Sequence, residues 1–383
     1  MLIKRLTLKN ILSFNDSTVE LGPLNVLIGP NAVGKSNLIE AISLLQAAPT
    51  GIEGQILRGG GVRQWLWLGD QGPSPIATIE CELRGPQPDP LFYRLRISEN
   101  AAGFMILDER LTTHTGEPYF ERSANRVQFG ALARDLLHLG SADMELSTKE
   151  SVFARFKNPA DPTPITEVGN RFEQTRIFRE FRTGPASQAR RGISAAAPKD
   201  MLLESDDNLA LVLHELDFLG VHERISDYMR RFCDRFEDVK VSVGEGLARP
   251  FLREAGLREM LSGIRMSDGT LKFLCILAVL LHPKPAPLIC IEEPELGLHP
   301  DALRLVAEVL AEASEHTQLI VTTHSEALVD AFSDRPESVL VCERDFDNGT
   351  QLQRLSREKL DEWLENYSLG ELWRKGEIGG SRW

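Results

Sequence analysis

The chain has no C-x-x-C pair, no long apolar run and no excess of basic residues, and each absence removes a class of protein. Its five cysteines, Cys81, Cys233, Cys275, Cys290 and Cys342, lie far apart in 383 residues. Without paired spacing they make neither a zinc site nor a disulfide frame, and they read as small buried apolar side chains of a reducing cytosol. The most apolar stretch, Phe273–Leu281, is too short to span a bilayer, and the opening MLIKRLTLKN lacks the apolar core of a signal peptide. A cytoplasmic chain with no membrane contact is therefore expected. Acidic residues outnumber basic ones, 56 to 43, for a formal net charge of −13. That balance excludes blanket binding to nucleic acid or anionic membrane and leaves room only for a local basic patch. No heptad pattern persists long enough for a coiled-coil arm, and no internal repeat or low-complexity tract occurs. What is present is ordinary globular material, 42% hydrophobic and 26% charged. It suffices for one large α/β domain with an insertion, or for two domains.

The stretch that organises the chain is Asn25–Ala41, NVLIGPNAVGKSNLIEA. Asn25–Ile28 reads as a buried strand, the Gly29-x4-Gly34-Lys35-Ser36 spacing follows at once, and Leu38, Ile39, Ile42 and Leu45 recur at helical intervals. This is a P-loop in its required strand–loop–helix context. Glycines let the backbone wrap a phosphate, and the loop N–H groups with the helix N-terminus supply positive potential. Lys35 is expected to reach the outer phosphates and the Ser36 hydroxyl to ligate Mg²⁺.

Ahead of the P-loop, Leu2–Leu8 and Thr18–Leu21 alternate like strands. Pro49–Gly72 is rich in glycine and reads as a long loop or turn-rich excursion. The apolar patch Trp65–Leu68 within it is read first as core packing and second as a base-stacking surface. Ile76–Leu83, Phe92–Ile97 and Phe104–Leu111 form a β-rich unit over about 76–115. From about 120 to 262 the pattern turns mostly helical and polar, with helical spacing over Leu209–Leu219 and Ile225–Val239. Arg171, Arg176, Arg179, Arg182, Arg190 and Arg191 make one locally basic stretch. It is either a phosphate-contacting surface, for DNA or nucleotide, or a solvated face paired with acidic neighbours.

A second phosphate-binding geometry follows. Ser267-Asp268-Gly269-Thr270 precedes the apolar segment Leu271–His282, so a hydroxyl, backbone N–H groups and a helix N-terminus coincide. Pro287–Ile291 is a short buried strand ending in Glu292-Glu293. Alternation along it aims Glu292 at Mg²⁺ and leaves Glu293 to orient or deprotonate an attacking water. Gln318–Thr323 is another buried strand, ended by His324, a candidate to hold a γ-phosphate or the water.

In order, GPNAVGKS, SDGT, LICIEEPELGLHP and IVTTHS resemble the ATP-binding cassette ATPase heads, most closely the cytosolic group containing SMC, RecF and the OLD-type ATPases. The resemblance covers 1–45 and 262–345 strongly. It implies an α/β P-loop NTPase fold with a mixed β-sheet core, an antiparallel β subdomain and an inserted mostly helical lobe. The implied divisions are 1–118 for the first part of the core, 119–262 for the lobe, 263–345 for the second part of the core and 346–383 for the tail. By position, Asn31, Gly34, Lys35, Ser36 and Asn37 would hold ATP and Mg²⁺, Glu292 would be the Walker B magnesium carboxylate, and Glu293 the catalytic base. Ser267 and Gly269 would contact the ATP of a second subunit, Gly297-Leu298-His299 resembles the D-loop, and His324 the switch histidine. Departures are Glu292 in place of aspartate, SDGT with an acid at Asp268, and no glutamine fixed as the Q-loop, Gln71 and Gln128 being candidates. One chain then carries half of each site, so the resemblance implies a homodimer closed by ATP and released by hydrolysis.

The functional expectation is a dimeric ATPase switch in DNA maintenance or defence against foreign DNA, acting on DNA directly or through a separate effector. The alternatives are the ATPase subunit of a membrane transporter and a nucleotide-binding scaffold without turnover. The roughly forty residues after Val341 are too few for the nuclease domain appended in the OLD type, so nuclease activity is expected to come from elsewhere.

Overall fold

The computed structural model describes residues 2–69, 75–84, 89–101, 103–137, 143–345 and 347–380. The chain divides into two compact units. The first comprises Met1–Thr175, Glu337–Ser356 and Gly376–Trp383. The second comprises Arg176–Pro336 and Arg357–Lys375.

In the first unit Leu24–Ile28 is buried along its whole length, as a strand covered on both faces must be. Val339–Asp345 pairs with it in parallel and turns back antiparallel into Gly349–Arg354. The ladder continues antiparallel through Phe14–Glu20, Ile3–Ile11, Ile76–Arg84, Pro90–Asn100 and Gly103–Thr112. It runs on through Pro118–Ser123, Arg126–Phe129 and Asp143–Glu145, past the 76–115 span that alternation alone indicates. Within the glycine-rich stretch, Ile52–Arg58 and Val62–Trp65 are short helices rather than loop. Trp65 and Trp67 are buried, and the Trp65 indole N–H donates to Ile56 O at 3.2 Å, so the tryptophans are core. Gln128 lies exposed in the outer ladder opposite Glu121 and Asp143, and Gln71 lies outside the described residues.

A buried polar knot fixes the segment that follows the ladder. Glu109, fully buried, accepts from Tyr93 Oη at 2.9 Å, Ser151 Oγ at 2.6 Å and Val152 N at 3.0 Å. Burial raises its carboxyl's pKa, and these donors with Arg122 oppose the shift. Arg122 in turn donates to Ala124 O, Ser147 O and Glu150 O.

The second unit holds two sheets. Arg176–Phe178, Leu288–Glu292 and Gln318–Thr322 pair in parallel, each strand nearly all apolar and buried. A small antiparallel sheet joins Ile193–Ser194, Leu247–Glu254 and Phe236–Gly244, with Leu261–Ser262 beside Leu247–Glu254. The helical spacing over Ile225–Val239 therefore belongs to helix His222–Phe232 and then to a strand, because the break at Cys233–Arg235 changes the period. Asp268–Leu280 is the expected buried helix, with every residue from Leu271 to Leu280 inside. Among the described residues no helix is long and apolar enough to cross a membrane. All five cysteines are free, and all but Cys233 are buried.

Asp206 is fully buried in this unit. One of its carboxylate oxygens accepts from Arg182 N and the other has no partner. Burial pushes its pKa from 3.8 up to about 7, the Arg182 N–H opposing only part of the shift. The protonated form favours the fold, so its contribution is complete below 3.8 and is lost as pH rises through about 7. Asp206→Asn mimics the neutral form and tolerates the same left-handed backbone, φ 55°. The variant should exceed the wild type in urea stability by about 1–3 kcal/mol at pH 8. The gap should shrink steadily on acidification toward pH 4; a gap independent of pH would contradict the assignment.

Candidate functional site

In the first unit the chain leaves the buried strand Leu24–Ile28 through Gly29, φ 147°, and enters helix Lys35–Ala47 through Gly34, φ 111°. Both glycines are dictated by what surrounds them. A Cβ on Gly29 would meet Cys342 O at 2.4 Å, and one on Gly34 would meet Thr350 Oγ1 at 2.2 Å and Ser13 Oγ at 2.5 Å. The loop is braced from behind by Thr350, whose hydroxyl donates to Val33 O at 2.6 Å and hydrogen-bonds with Ser13 Oγ at 2.7 Å. Burial pushes the Cys342 thiol up to about 12, so it is an inert wall.

Lys35 is 6% exposed and turns back under the loop, donating to Gly29 O at 2.7 Å and Pro30 O at 2.9 Å. Asn31 and Ser36 are exposed and Asn37 is half-buried, so the expected phosphate residues all belong to one turn. The helix has neither a side-chain cap nor an acidic residue in its first turn, which leaves its positive end to an anion. That cradle fits a polyphosphate. Ser13 and Thr350 were missed from sequence, since nothing local marks residues 337 positions apart as partners.

In the second unit the parallel strands Leu288–Glu292 and Gln318–Thr322 end side by side, with Glu292 opposite Thr322. Glu293 follows in the left-handed region, φ 46°, held by its N–H donating to Thr322 O at 2.9 Å. A non-glycine residue held there stores strain of about 1–3 kcal/mol, as is common at functional sites. This turn brings Glu293 Oε1 to 3.8 Å from His324 Nε2, the two side chains about one-third exposed. Glu295 fixes His324 from below, accepting from Thr323 Oγ1 at 2.7 Å and from His324 N at 2.8 Å. Glu292, 14% exposed, pairs with Arg179. The carboxylate of Glu292 and the hydroxyl of Ser36 are hard oxygen donors of the kind magnesium takes.

Ser267 caps helix Asp268–Leu280, its hydroxyl accepting from Thr270 N at 3.0 Å, and both Ser267 and Asp268 are exposed. The acid in SDGT is neutralised within the chain. Arg190, buried to 6% exposure, bonds the Asp268 carboxylate while donating to Thr183 O, Gly263 O, Ile264 O and Met266 O. One turn on, Lys272 donates to Leu296 O at 2.7 Å and Glu293 O at 3.3 Å. Burial lowers its pKa, opposed by Glu295 and Glu293. A Cβ on Gly269 would lie 3.2 Å from Gly297 O, so the SDGT turn and Gly297-Leu298-His299 are packed together. The arginine stretch is not one exposed basic face: Arg190 is a buried clamp, Arg179 pairs with Glu292, and Arg171 donates to Arg84 O in the first unit.

This is the fold of an ATP-binding cassette type ATPase head. A family model described as "AAA domain, putative AbiEii toxin, Type IV TA system" matches residues 24–330, and the chain belongs to that family; its similarities to known proteins are of the SMC/RecF/OLD type. It is 22% identical over 400 residues to the Old nuclease of Escherichia phage P2, covering 94% of this chain. It is 30% identical over 138 residues, 36% of this chain, to the DNA replication and repair protein RecF of a Cyanothece strain. The chain spans 62% of the length of the first relative and 33% of the second. An SMC head bound to the C-terminal winged-helix domain of ScpA shares the fold, with TM-score 0.59, 15% identity, and 93% of this chain and 99% of that one covered. So does an SMC head from Pyrococcus furiosus bound to the C-terminal domain of ScpA, with TM-score 0.55, 15% identity, and 95% and 98% covered.

Gly34→Ala drives a Cβ into Thr350 and Ser13, at a φ that only glycine adopts readily. Affinity for a fluorescent ATP analogue, read by anisotropy, should fall by about tenfold or more, the cost of such strain. Gly54→Ala, where only the far end of the Arg58 side chain lies within 4 Å, should leave it unchanged.

Proposed function

We propose that the chain is a cytoplasmic ATP-hydrolysing switch that closes as a homodimer on ATP. Asn31, Gly34, Lys35, Ser36 and Asn37 would hold the phosphates, and Ser36 and Glu292 are the residues that would supply oxygens to magnesium. The ion would neutralise charge on the outer phosphates as the terminal bond breaks. Glu293 takes the proton of the attacking water and His324 holds its orientation. The observation that carries this reading is the approach of His324 to a strained Glu293 at the ends of neighbouring parallel strands. A base and its orienting partner need this geometry, and a purely structural turn does not.

The dimer rests on the SDGT turn. Ser267 and Gly269 complete the ATP site of a second copy, a role supported by the exposure of Ser267 and by the Arg190 clamp that pairs with Asp268. The names of the relatives, a nuclease and a DNA replication and repair protein, support work on DNA. The partner is DNA itself or a separate effector protein, as the SMC heads carry a domain of ScpA.

Replacing the base by its neutral amide should separate binding from turnover. Phosphate release by Glu293→Gln should fall about a hundredfold or more, the usual worth of a general base, with ATP affinity retained. Rates equal to wild type would remove Glu293 from the chemistry.

A further inference from the structure

The register of the parallel strands places an arginine on the metal carboxylate. Phe178 lies opposite Ile291, so Arg179, the first residue past its strand, comes level with Glu292, the last residue of the neighbouring strand. There Arg179 Nη1 lies 3.2 Å from Glu292 Oε1, the carboxylate 14% and the arginine 45% exposed. The arginine backbone is not free to drift. Phe178 and Phe181 on either side of it are buried and stack at 5.4 Å, and Arg182 N is held by Asp206.

We propose that Arg179 is a gate on Glu292, competing with the divalent cation for the same carboxylate oxygen. This rests on the reading of Glu292 as the magnesium ligand. The pair opens by displacement of the long, partly exposed arginine side chain. Arg179 must swing off Glu292 before that oxygen can coordinate a metal. Its half-exposed side chain has room to do so while the phenylalanines keep its backbone in place. Until it moves, the arginine occupies Glu292 Oε1 at 3.2 Å. The loading of metal on bound nucleotide is therefore coupled to the movement of one side chain on the segment that leads to the Arg190 clamp.

The test is Mn²⁺ titration of the full chain, with the non-hydrolysable analogue AMPPNP held below the protein concentration, following the electron paramagnetic resonance signal of free Mn²⁺. Arg179→Ala should lower the half-saturating Mn²⁺ by about two- to fivefold, the range expected for losing a partly exposed ion pair, with Arg179→Lys in between. In a Glu292→Gln background Arg179→Ala should change nothing, because the competition has lost its object. If Glu292→Gln weakens Mn²⁺ binding but Arg179→Ala leaves it unchanged or weakens it, the gate is wrong and the metal assignment stands. If Glu292→Gln has no effect, or the wild type takes up no nucleotide-dependent Mn²⁺, the metal assignment fails and the gate with it.

Discussion

The P-loop works only because the space behind it is already full. Gly29 and Gly34 are pressed against Cys342, Ser13 and Thr350, so the loop backbone has no room for a side chain at either position. The brace is tertiary. It is delivered by the hairpin Val339–Asp345 and Gly349–Arg354, which pairs in parallel with the P-loop strand and returns beside Phe14–Glu20. Preorganisation of this kind spares the ligand the cost of ordering its own cradle.

The second unit solves a different problem, which is to present a helix N-terminus outward without losing its shape. Arg190 gathers four carbonyls and the Asp268 carboxylate, and Lys272 ties the first turn of the helix to the carbonyls of Glu293 and Leu296. Each cation is buried and expensive to desolvate, and each is satisfied by several acceptors at once. The SDGT turn, the Glu293–His324 pair and the Gly297 turn are consequently parts of one rigid assembly.

The chemistry of this chain was legible wherever it is local. A P-loop, a buried strand ending in two acids and a strand ending in histidine are short patterns whose residue types follow from neighbouring backbone geometry. Asn31–Asn37, Glu292–Glu293 and His324 could therefore be singled out as candidates without a fold. What depended on distant pairing was not legible. Nothing near Thr350 announces Ser13, and Arg179 and Arg190 looked like members of one surface run although one meets Glu292 and the other is interior. Asp268, the acid that departs from the family pattern in SDGT, is paired by a residue 78 positions earlier in the chain. The strand at Phe236–Gly244 was hidden because the helix His222–Phe232 ends just before it and lends it a false period.

The central claim is that ATP held by one chain is sealed by the Ser267–Gly269 turn of another. The direct measurement is the solution mass of the hydrolysis-deficient Glu293→Gln protein by light scattering, with and without ATP·Mg²⁺, alone and combined with Ser267→Arg. The account predicts a doubling of mass on adding ATP·Mg²⁺ and no doubling once Ser267 is replaced. A mass indifferent to ATP, or a doubling that survives Ser267→Arg, would contradict it.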